Sequence, residues 1–260
     1  MLAFIIPVKS KTVSSDWASF SQLADRCINS ICNQLDSNFI VVLACHEIPE
    51  TKFNKDPRVE FLQVDFPPPI MKGEKSDYWE KEADKGKKLK LAAGYAERKG
   101  ATYVMTVDAD DCISNKICSF VSKNASNSIP GWYVKKGYLY EEGKKYAYLN
   151  LKNFNTICGS GVIIKPKLIE LMYGENFYFH HEKIQLNNNL LLLPLPFAGT
   201  IYSMLNGSNI VLNRQGMHDK RTKLNPLKAN VMKTLFRRLG KYRIVLLVSL
   251  KKEFAITTIK

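Results

Sequence analysis

The stretch "YVMTVDADDCIS" sets Asp108, Asp110 and Asp111 directly behind the apolar run Tyr103 to Val107. Such a run predicts a buried strand, so the three carboxylates stand at the mouth of a core. Side chains alternate along an extended strand, which puts Asp108 and Asp110 on one side and turns Ala109 away. Like charges this close repel unless something neutralises them. A divalent cation does so, and oxygen donors select Mg2+ or Mn2+ over softer-site metals. Such an ion keeps positions open for substrate phosphates. The competing reading is an Asx-rich turn in which Asp111 or Ser114 caps the next helix. Spacing alone leaves both readings open.

The elements around the cluster alternate in type. "LAFIIPV" and "NFIVVLA" are short apolar runs rich in β-branched residues, the pattern of strands buried on both faces of a parallel sheet. Between them Trp17, Phe20, Ala24, Cys27, Ile28, Ile31 and Leu35 recur at three- and four-residue steps, which predicts an amphipathic helix. "VEFLQV" is a third strand ending at Asp65, and the prolines of "DFPPPI" stop regular structure. In "GKKLKLAAGYAERKG" Leu89, Ala92, Ala93 and Ala96 share a helical face, with Gly100 placed to end it. The order β-α-β-β-α-β argues for an open α/β sheet with its function at the carboxyl ends of the strands. Farther on, "GWYVKKGYLY" and "KKYAYLN" suggest an antiparallel pair turning around Glu141 to Lys144, and "TICGSGVIIK" a strand. Residues 167–173 and "FHHEKIQLNNNLLL" are expected to be helical.

Composition bounds the partners. A chain of 260 residues with 45% apolar content buries a full core, as one large domain or one domain with a tail. The net charge of +14 calls for something anionic, whether nucleotide, nucleic acid or lipid surface. The lysines gather in "KEADKGKKLK", and residues 214–243 hold only Asp219 against many Lys and Arg. No stretch approaches about 18 apolar residues, so no membrane-spanning helix is expected. "MLAFIIPVKS" lacks the basic opening of a signal peptide and reads as a first strand. Six cysteines without a C-x-x-C pair, set among apolar neighbours, read as buried free thiols and favour a reducing compartment. A cytoplasmic protein is the expectation.

"FIIPVKS", "GKKLKLAAGYAERKG" and "VMTVDADDCIS" together resemble the family 2-like glycosyltransferases of the nucleotide-diphospho-sugar transferase (GT-A) fold. The family segment G-x-S-x-A-R-N-x-G, continued to A-x-G, compares with the second stretch through Gly86, Gly94 and Gly100. "VDADD" matches the family D-x-D, and "CGSGVIIK" sits where these enzymes carry a strand beside the acceptor. The expected architecture is α/β, a GT-A-like open mixed sheet flanked by helices. Residues 1–220 would form the nucleotide-sugar- and acceptor-binding domain, and residues 221–260 a basic helical C-terminal extension.

The resemblance implies a glycosyltransferase that moves a sugar from a nucleotide-diphosphate sugar to an acceptor hydroxyl, inverting and metal-dependent, in polysaccharide or glycolipid synthesis. It implies nucleotide-sugar contacts at Pro7, Glu47, Asp65, Lys90 and Asp108, and Mn2+ or Mg2+ on Asp108 and Asp110. His218, in "NRQGMHDKR", takes the place of a late third ligand, with Asp219 as its rival. Family members place an acidic pair at the start of a late helix; here "YFHHEKI" offers Glu182 as general base, or as a residue stabilising a helix N-terminus. The chain departs from the pattern in two places. "ACHE" makes His46 and Glu47 stand in for the acidic pair that reads the nucleotide, and the family arginine falls on Leu91, leaving Lys90 or Lys87 for phosphate. A UDP-linked donor is favoured only slightly.

Two rival functions share some of these features. A metal-dependent nucleotidyltransferase would use the same carboxylates, although "PVKSKTVSSDW" lacks the repeated glycines of its usual first loop. A nucleic-acid-binding protein would use the charge and the aromatics of "GWYVKKGYLY", but three acidic groups crown the binding edge, so no nucleic acid is expected. Arg237, Arg238, Lys241 and Arg243 precede "IVLLVSL" and Lys251 and Lys252 follow it, a pattern that can lie against an anionic membrane face or pack as a terminal helix.

Overall fold

Leu2 to Ile6 and Val41 to Cys45 are buried without interruption, because the strands they form are covered on both faces. The computed structural model describes residues 1–72, 75–187, 190–207 and 242–259. β1 (Leu2–Pro7) leads to α1 (Trp17–Cys32), whose first turn is capped by Asp16 accepting from the Ser19 N–H at 2.9 Å. β2 (Phe39–Cys45) and β3 (Val59–Gln63) follow, then the two-residue strands β4 (Met71–Lys72) and β5 (Lys75–Ser76). α2 (Tyr78–Arg98) ends at Gly100, whose φ of +87° suits only glycine without strain. β6 (Tyr103–Thr106), β7 (Cys112–Ile113) and α3 (Ile117–Asn124) complete the first half.

The second half is mostly strands: β8 (Gly131–Tyr133), β9 (Lys136–Glu141), β10 (Tyr146–Asn150), β11 (Val162–Ile164) and β12 (Gln185–Asn187). After these come β13 (Leu190–Leu191), β14 (Leu193–Pro194), β15 (Ala198–Met204), β16 (Tyr242–Leu246) and the helix α4 (Leu247–Phe254). Among the described residues the main sheet has seven strands in the order β14-β8-β11-β6-β1-β2-β3. β3, β2, β1 and β6 are parallel, so their carboxyl ends line one edge, and β11 enters antiparallel beside β6. Phe4 and Ile6 pack toward α1, while Ala3 and Ile5 pack toward Leu89, Ala92, Ala93 and Ala96 of α2. A second sheet, β16-β10-β9-β15-β7, is built on the expected β9–β10 hairpin. The open mixed sheet flanked by helices matches the architecture read from the sequence.

One expected helix is not formed and another is shortened at its start. Beyond His181 and Glu182, which lie in a turn, the chain forms β12 paired with β13. Leu186 is buried between exposed Gln185 and Asn187, a period of two, and asparagine side chains compete with a helical backbone for hydrogen bonds. Glu182 therefore does not stabilise a helix N-terminus. In "IVLLVSL", Ile244, Val245 and Leu246 are extended and pair with Tyr148, Ala147 and Tyr146; the helix begins only at Leu247. The β-branched residues fit the pleated edge of β10 better than a helix.

α4 is part of the same packed body as the sheets. Phe254 and Ile256 are buried with Cys112, Tyr140, Ala147 and Ile201. Ser114 donates to Glu253 at 2.6 Å, and Arg26 donates to the Thr257 carbonyl at 2.9 Å. The expected boundary at residue 220 lies outside the described residues. All six cysteines are free, and all but half-buried Cys32 are buried. No described helix is long and apolar enough to cross a membrane.

Candidate active site

β6 stops at Thr106, and the carboxylates follow on a turn closed by the Asp111 N–H donating to the Asp108 carbonyl at 3.1 Å. Strand alternation therefore does not aim Asp108 and Asp110; the turn does. Two neighbouring segments hold it. The Asp108 N–H donates to Ser160 Oγ at 2.6 Å, and the Thr106 hydroxyl donates to the Gly159 carbonyl at 3.1 Å. The Asp110 carboxylate accepts from Asn206 at 2.8 Å. Burial, then the charge of Asp108, push the Asp110 pKa up.

Asp111 has a different job. It is fully buried and accepts from the Ser160 hydroxyl, the Ser203 N–H at 3.0 Å and the Cys158 thiol at 3.2 Å. It pins the turn to the strands on either side and caps nothing: the N-cap of α3 is Lys116, without a side-chain bond. Of the two expected caps Asp111 is thereby excluded, while Ser114 Oγ accepts from the Lys116 N–H at 3.4 Å just ahead of α3.

Two lysines face the acidic turn. Lys85 Nζ sits 2.6 Å from Asp108 Oδ1. Burial works against its charge, but Asp108 and Glu82 outweigh burial and raise its pKa. A Cβ on Gly159 would lie 2.7 Å from Asp108 Oδ2 and 2.9 Å from Lys85 Nζ, so the glycine leaves the space this pair fills. Lys9, just beyond β1, has its pKa lowered by burial, with Asp110 opposing that. Below the turn, buried Arg26 holds Glu142 at 2.9 Å and Ser203 at 3.1 Å.

Along the same edge, Pro7 closes β1, and Glu47 accepts from the Lys11 N–H at 2.8 Å and the Ser10 hydroxyl at 3.2 Å. Beneath them Lys88 is fully buried and donates to the Val8 carbonyl and to Asp84, both at 2.7 Å. His46 donates to the Phe66 carbonyl at 2.9 Å. Among the described residues its other ring nitrogen and Asp84 Oδ1 are buried without hydrogen-bond partners, although Asp84 Oδ1 lies 3.8 Å from His46 Nε2. Asp65 is exposed beyond β3. Lys90, expected at phosphate, pairs with Glu170 at 2.9 Å and lies over Tyr173 and Phe177, and Lys87 lies over Phe66 and Phe177; the lysine on the carboxylates is Lys85.

The loop carrying Glu182 is seated on α2. A Cβ on Gly86 would come within 1.9 Å of the Phe177 carbonyl oxygen, so only glycine lets that turn approach. Asn176 and Phe177 hold positive φ of 56° and 61°, a strained pair immediately ahead of Tyr178, His180 and Glu182. Glu182 is exposed, and its carboxylate lies 3.1 Å from His180 Nδ1. Burial works against its charge, but a backbone N–H and His180 outweigh that and lower its pKa. His181 points the other way. Its Nδ1 donates to the Asn155 carbonyl at 2.6 Å, which leaves Nε2 as the acceptor nitrogen. Burial and then Lys85 lower its pKa.

The donor set at the acidic turn is hard oxygen, which fits Mg2+ or Mn2+ completed by water and substrate phosphate. Among the described residues no group of three or more His, Cys, Asp or Glu converges as a ready metal cage. His218 and Asp219 lie outside the described residues.

No family model and no curated protein matches the sequence. Solved structures do. S. aureus TarS 1-349 in complex with UDP aligns with TM-score 0.46 and 13% identity, over 78% of this chain and 60% of that one. The same fragment in complex with UDP-GlcNAc gives 0.45 and 13%, over 78% and 58%. A 4-diphosphocytidyl-2C-methyl-D-erythritol synthase gives 0.40 and 11%, over 86% and 98%. The chain thus spans about 60% of the TarS fragment. These are distant likenesses, and the open mixed sheet flanked by helices stands on the strand order of the chain itself.

Proposed function

We propose that the chain is a glycosyltransferase that moves a sugar from a nucleoside-diphosphate sugar, UDP-linked in the first instance, to a carbohydrate or glycolipid hydroxyl with inversion. One observation carries this reading: Asp108 and Asp110 stand on a turn at the carboxyl edge of parallel strands, with Lys85 bonded to Asp108 and Lys9 near enough for the Asp110 charge to act on it. Carboxylates opposed by lysines suit a diphosphate that arrives with a divalent cation, because each charge then has a partner. Mn2+ or Mg2+, held by Asp108 and Asp110 with His218 as the proposed third ligand, would offset charge on the leaving diphosphate. Lys85 and Lys9 would hold phosphate oxygens, and Pro7 and Glu47 border the nucleoside side. Glu182, 3.1 Å from His180 Nδ1, would take the acceptor proton as the hydroxyl attacks.

The test is calorimetry with UDP and GDP, with and without Mn2+, followed by a transfer assay. We expect metal-stimulated binding that Asp110→Ala removes. Glu182→Gln should bind donor normally and lose transfer by about 100-fold or more. An unchanged metal response in Asp110→Ala rejects the metal site. Pyrophosphate release from a nucleoside triphosphate and a phosphosugar would mark a nucleotidyltransferase instead. We also propose a peripheral contact with an anionic membrane through the exposed face of β16.

A further inference from the structure

Beside the acidic turn, rings from two distant segments meet at the surface. Tyr78 and Trp79 open α2, and their ring centroids lie 5.0 Å apart. Trp79 meets Tyr178 at 5.6 Å, and Tyr178 meets His180 at 4.7 Å. The row is not core: Trp79 is 57% exposed and Tyr78 37%. A single exposed ring is ordinary, but four in contact across a sequence gap of about 100 residues require construction. The structure supplies it on both sides. Asp77 caps the first turn of α2 by accepting from the Trp79 N–H at 2.8 Å, which fixes the backbone under Trp79. On the other side Gly86 admits the Phe177 carbonyl, and the left-handed pair Asn176–Phe177 turns Tyr178 toward Trp79. Gly174 leaves room for the His180 ring in the same way.

The row ends on the proposed base, since His180 Nδ1 lies 3.1 Å from Glu182 Oε1. Its other end leads inward, because Tyr78 is close enough to Glu82 and Lys85 for their charges to act on it, and Lys85 holds Asp108.

We propose that Tyr78, Trp79, Tyr178 and His180 form the acceptor subsite, and that it takes the pyranose rings of an oligosaccharide chain. A pyranose presents a face of C–H bonds with partial positive charge, which packs on the negative face of an aromatic ring. Its rim of hydroxyls suits the imidazole and carboxylate at the end of the row. With one or two sugar rings on Trp79 and Tyr178, the terminal hydroxyl reaches Glu182. This inference rests on the glycosyltransferase reading and on Glu182 as base.

The experiment is calorimetry on the full chain with neutral oligosaccharides (maltohexaose, cellohexaose, chitohexaose and a mannohexaose) and, separately, with UDP and Mn2+. At least one oligosaccharide should bind saturably. Trp79→Ala should weaken it by about 10-fold, and Trp79→Phe by about 3-fold or less, because a ring remains to stack. UDP affinity should be unchanged in both. Trp79 lies on the surface, so neither variant threatens the fold, and matching melting curves check this. Oligosaccharide binding absent from the wild type, or equal in Trp79→Ala, overturns the subsite. If UDP binding persists in that case, only this inference fails; if UDP binding is absent too, the glycosyltransferase reading fails with it. Binding of dodecylphosphocholine micelles in place of any sugar would make the row a lipid surface and would also overturn the proposal.

Discussion

Lys85 Nζ stands 2.6 Å from Asp108 Oδ1, and neither group would have that room if residue 159 carried a side chain. The lysine comes from the middle of α2, the carboxylate from the turn after β6, and the glycine from the segment leading into β11. Three elements therefore meet at one ion pair on the sheet edge. We expect Lys85→Met to cost about 1–3 kcal/mol of stability, since it leaves a partly buried carboxylate unpaired. UDP affinity without metal should fall about 10-fold while Mn2+ stimulation grows, because Asp108 then lacks its other cation. Denaturant melts and calorimetry measure the two effects, and unchanged UDP affinity would take Lys85 out of the donor site.

Gly159→Ala probes the same space without removing a charge. The new methyl group would press on Asp108 Oδ2 and Lys85 Nζ, the ends of side chains and not backbone. Gly159 is not among the positive-φ glycines, so alanine meets crowding there and no conformational penalty. We expect a folded protein with weakened donor binding. Normal donor binding would show that the pair can be displaced without consequence.

The contrast between these residues explains what was legible from the sequence. Asp108 and Asp110 stood out because an apolar run leads straight into them. Lys85 did not, since it is one of five lysines between residues 81 and 90, and helical periodicity does not tell which turn of α2 lies level with the end of β6. Lys90, expected with Lys87 as a phosphate contact, lies about a turn farther along, on Glu170. Asn206 and Ser160 carry no local signal at all, because they reach the site only through the pairing of β15 and β11 with other strands. The fold's parallel half was readable from buried runs alternating with helical stripes. The part around Glu182 was not, because its short strands and left-handed turn are set by packing on α2 and not by local preference.

That packing makes Gly86 a second test. A Cβ there would meet the backbone of Phe177, which cannot rotate away as a side chain can. Gly86→Ala should therefore lift the turn from α2, at about 1–3 kcal/mol of stability. Transfer should fall more than donor binding, because Glu182 and Tyr178 travel with the turn while Asp108 and Asp110 do not. Equal loss of both activities would mean that α2 itself had shifted.

His181 gives a pH dependence whose sign is fixed by its surroundings. Its folded pKa is lowered by burial and by Lys85, whereas the unfolded residue titrates near 6.5. Between the two values the unfolded chain binds more protons, so stability rises with pH through that window. The contribution is fully present above about 6.5 and is lost as pH falls toward the folded value. His181→Asn keeps a donor for the Asn155 carbonyl and cannot titrate. Melting temperatures of wild type and variant should converge above pH 7 and separate below 6, with the wild type lower. Parallel curves across the range would refute this account of the ring.

The membrane contact can be tested on the edge strand. Ile244, Leu246 and Val248 are 70%, 63% and 67% exposed, and Ile244 and Leu246 pair in register with Tyr148 and Tyr146. One apolar face thus crosses from β10 to β16. Lys144, Lys145, Arg243, Lys251 and Lys252 lie in or beside the same segments, which complements anionic headgroups. Deleting the tail is the wrong experiment, because Phe254 and Ile256 are core residues and their loss would unfold the second sheet. Ile244→Ser with Leu246→Ser changes only exposed positions and should leave the melting temperature within a few degrees. We expect wild type to sediment with anionic vesicles and less with neutral ones, and the double variant to lose most of that difference. Equal sedimentation with both vesicle types, or no effect of the double variant, would assign the face to another partner.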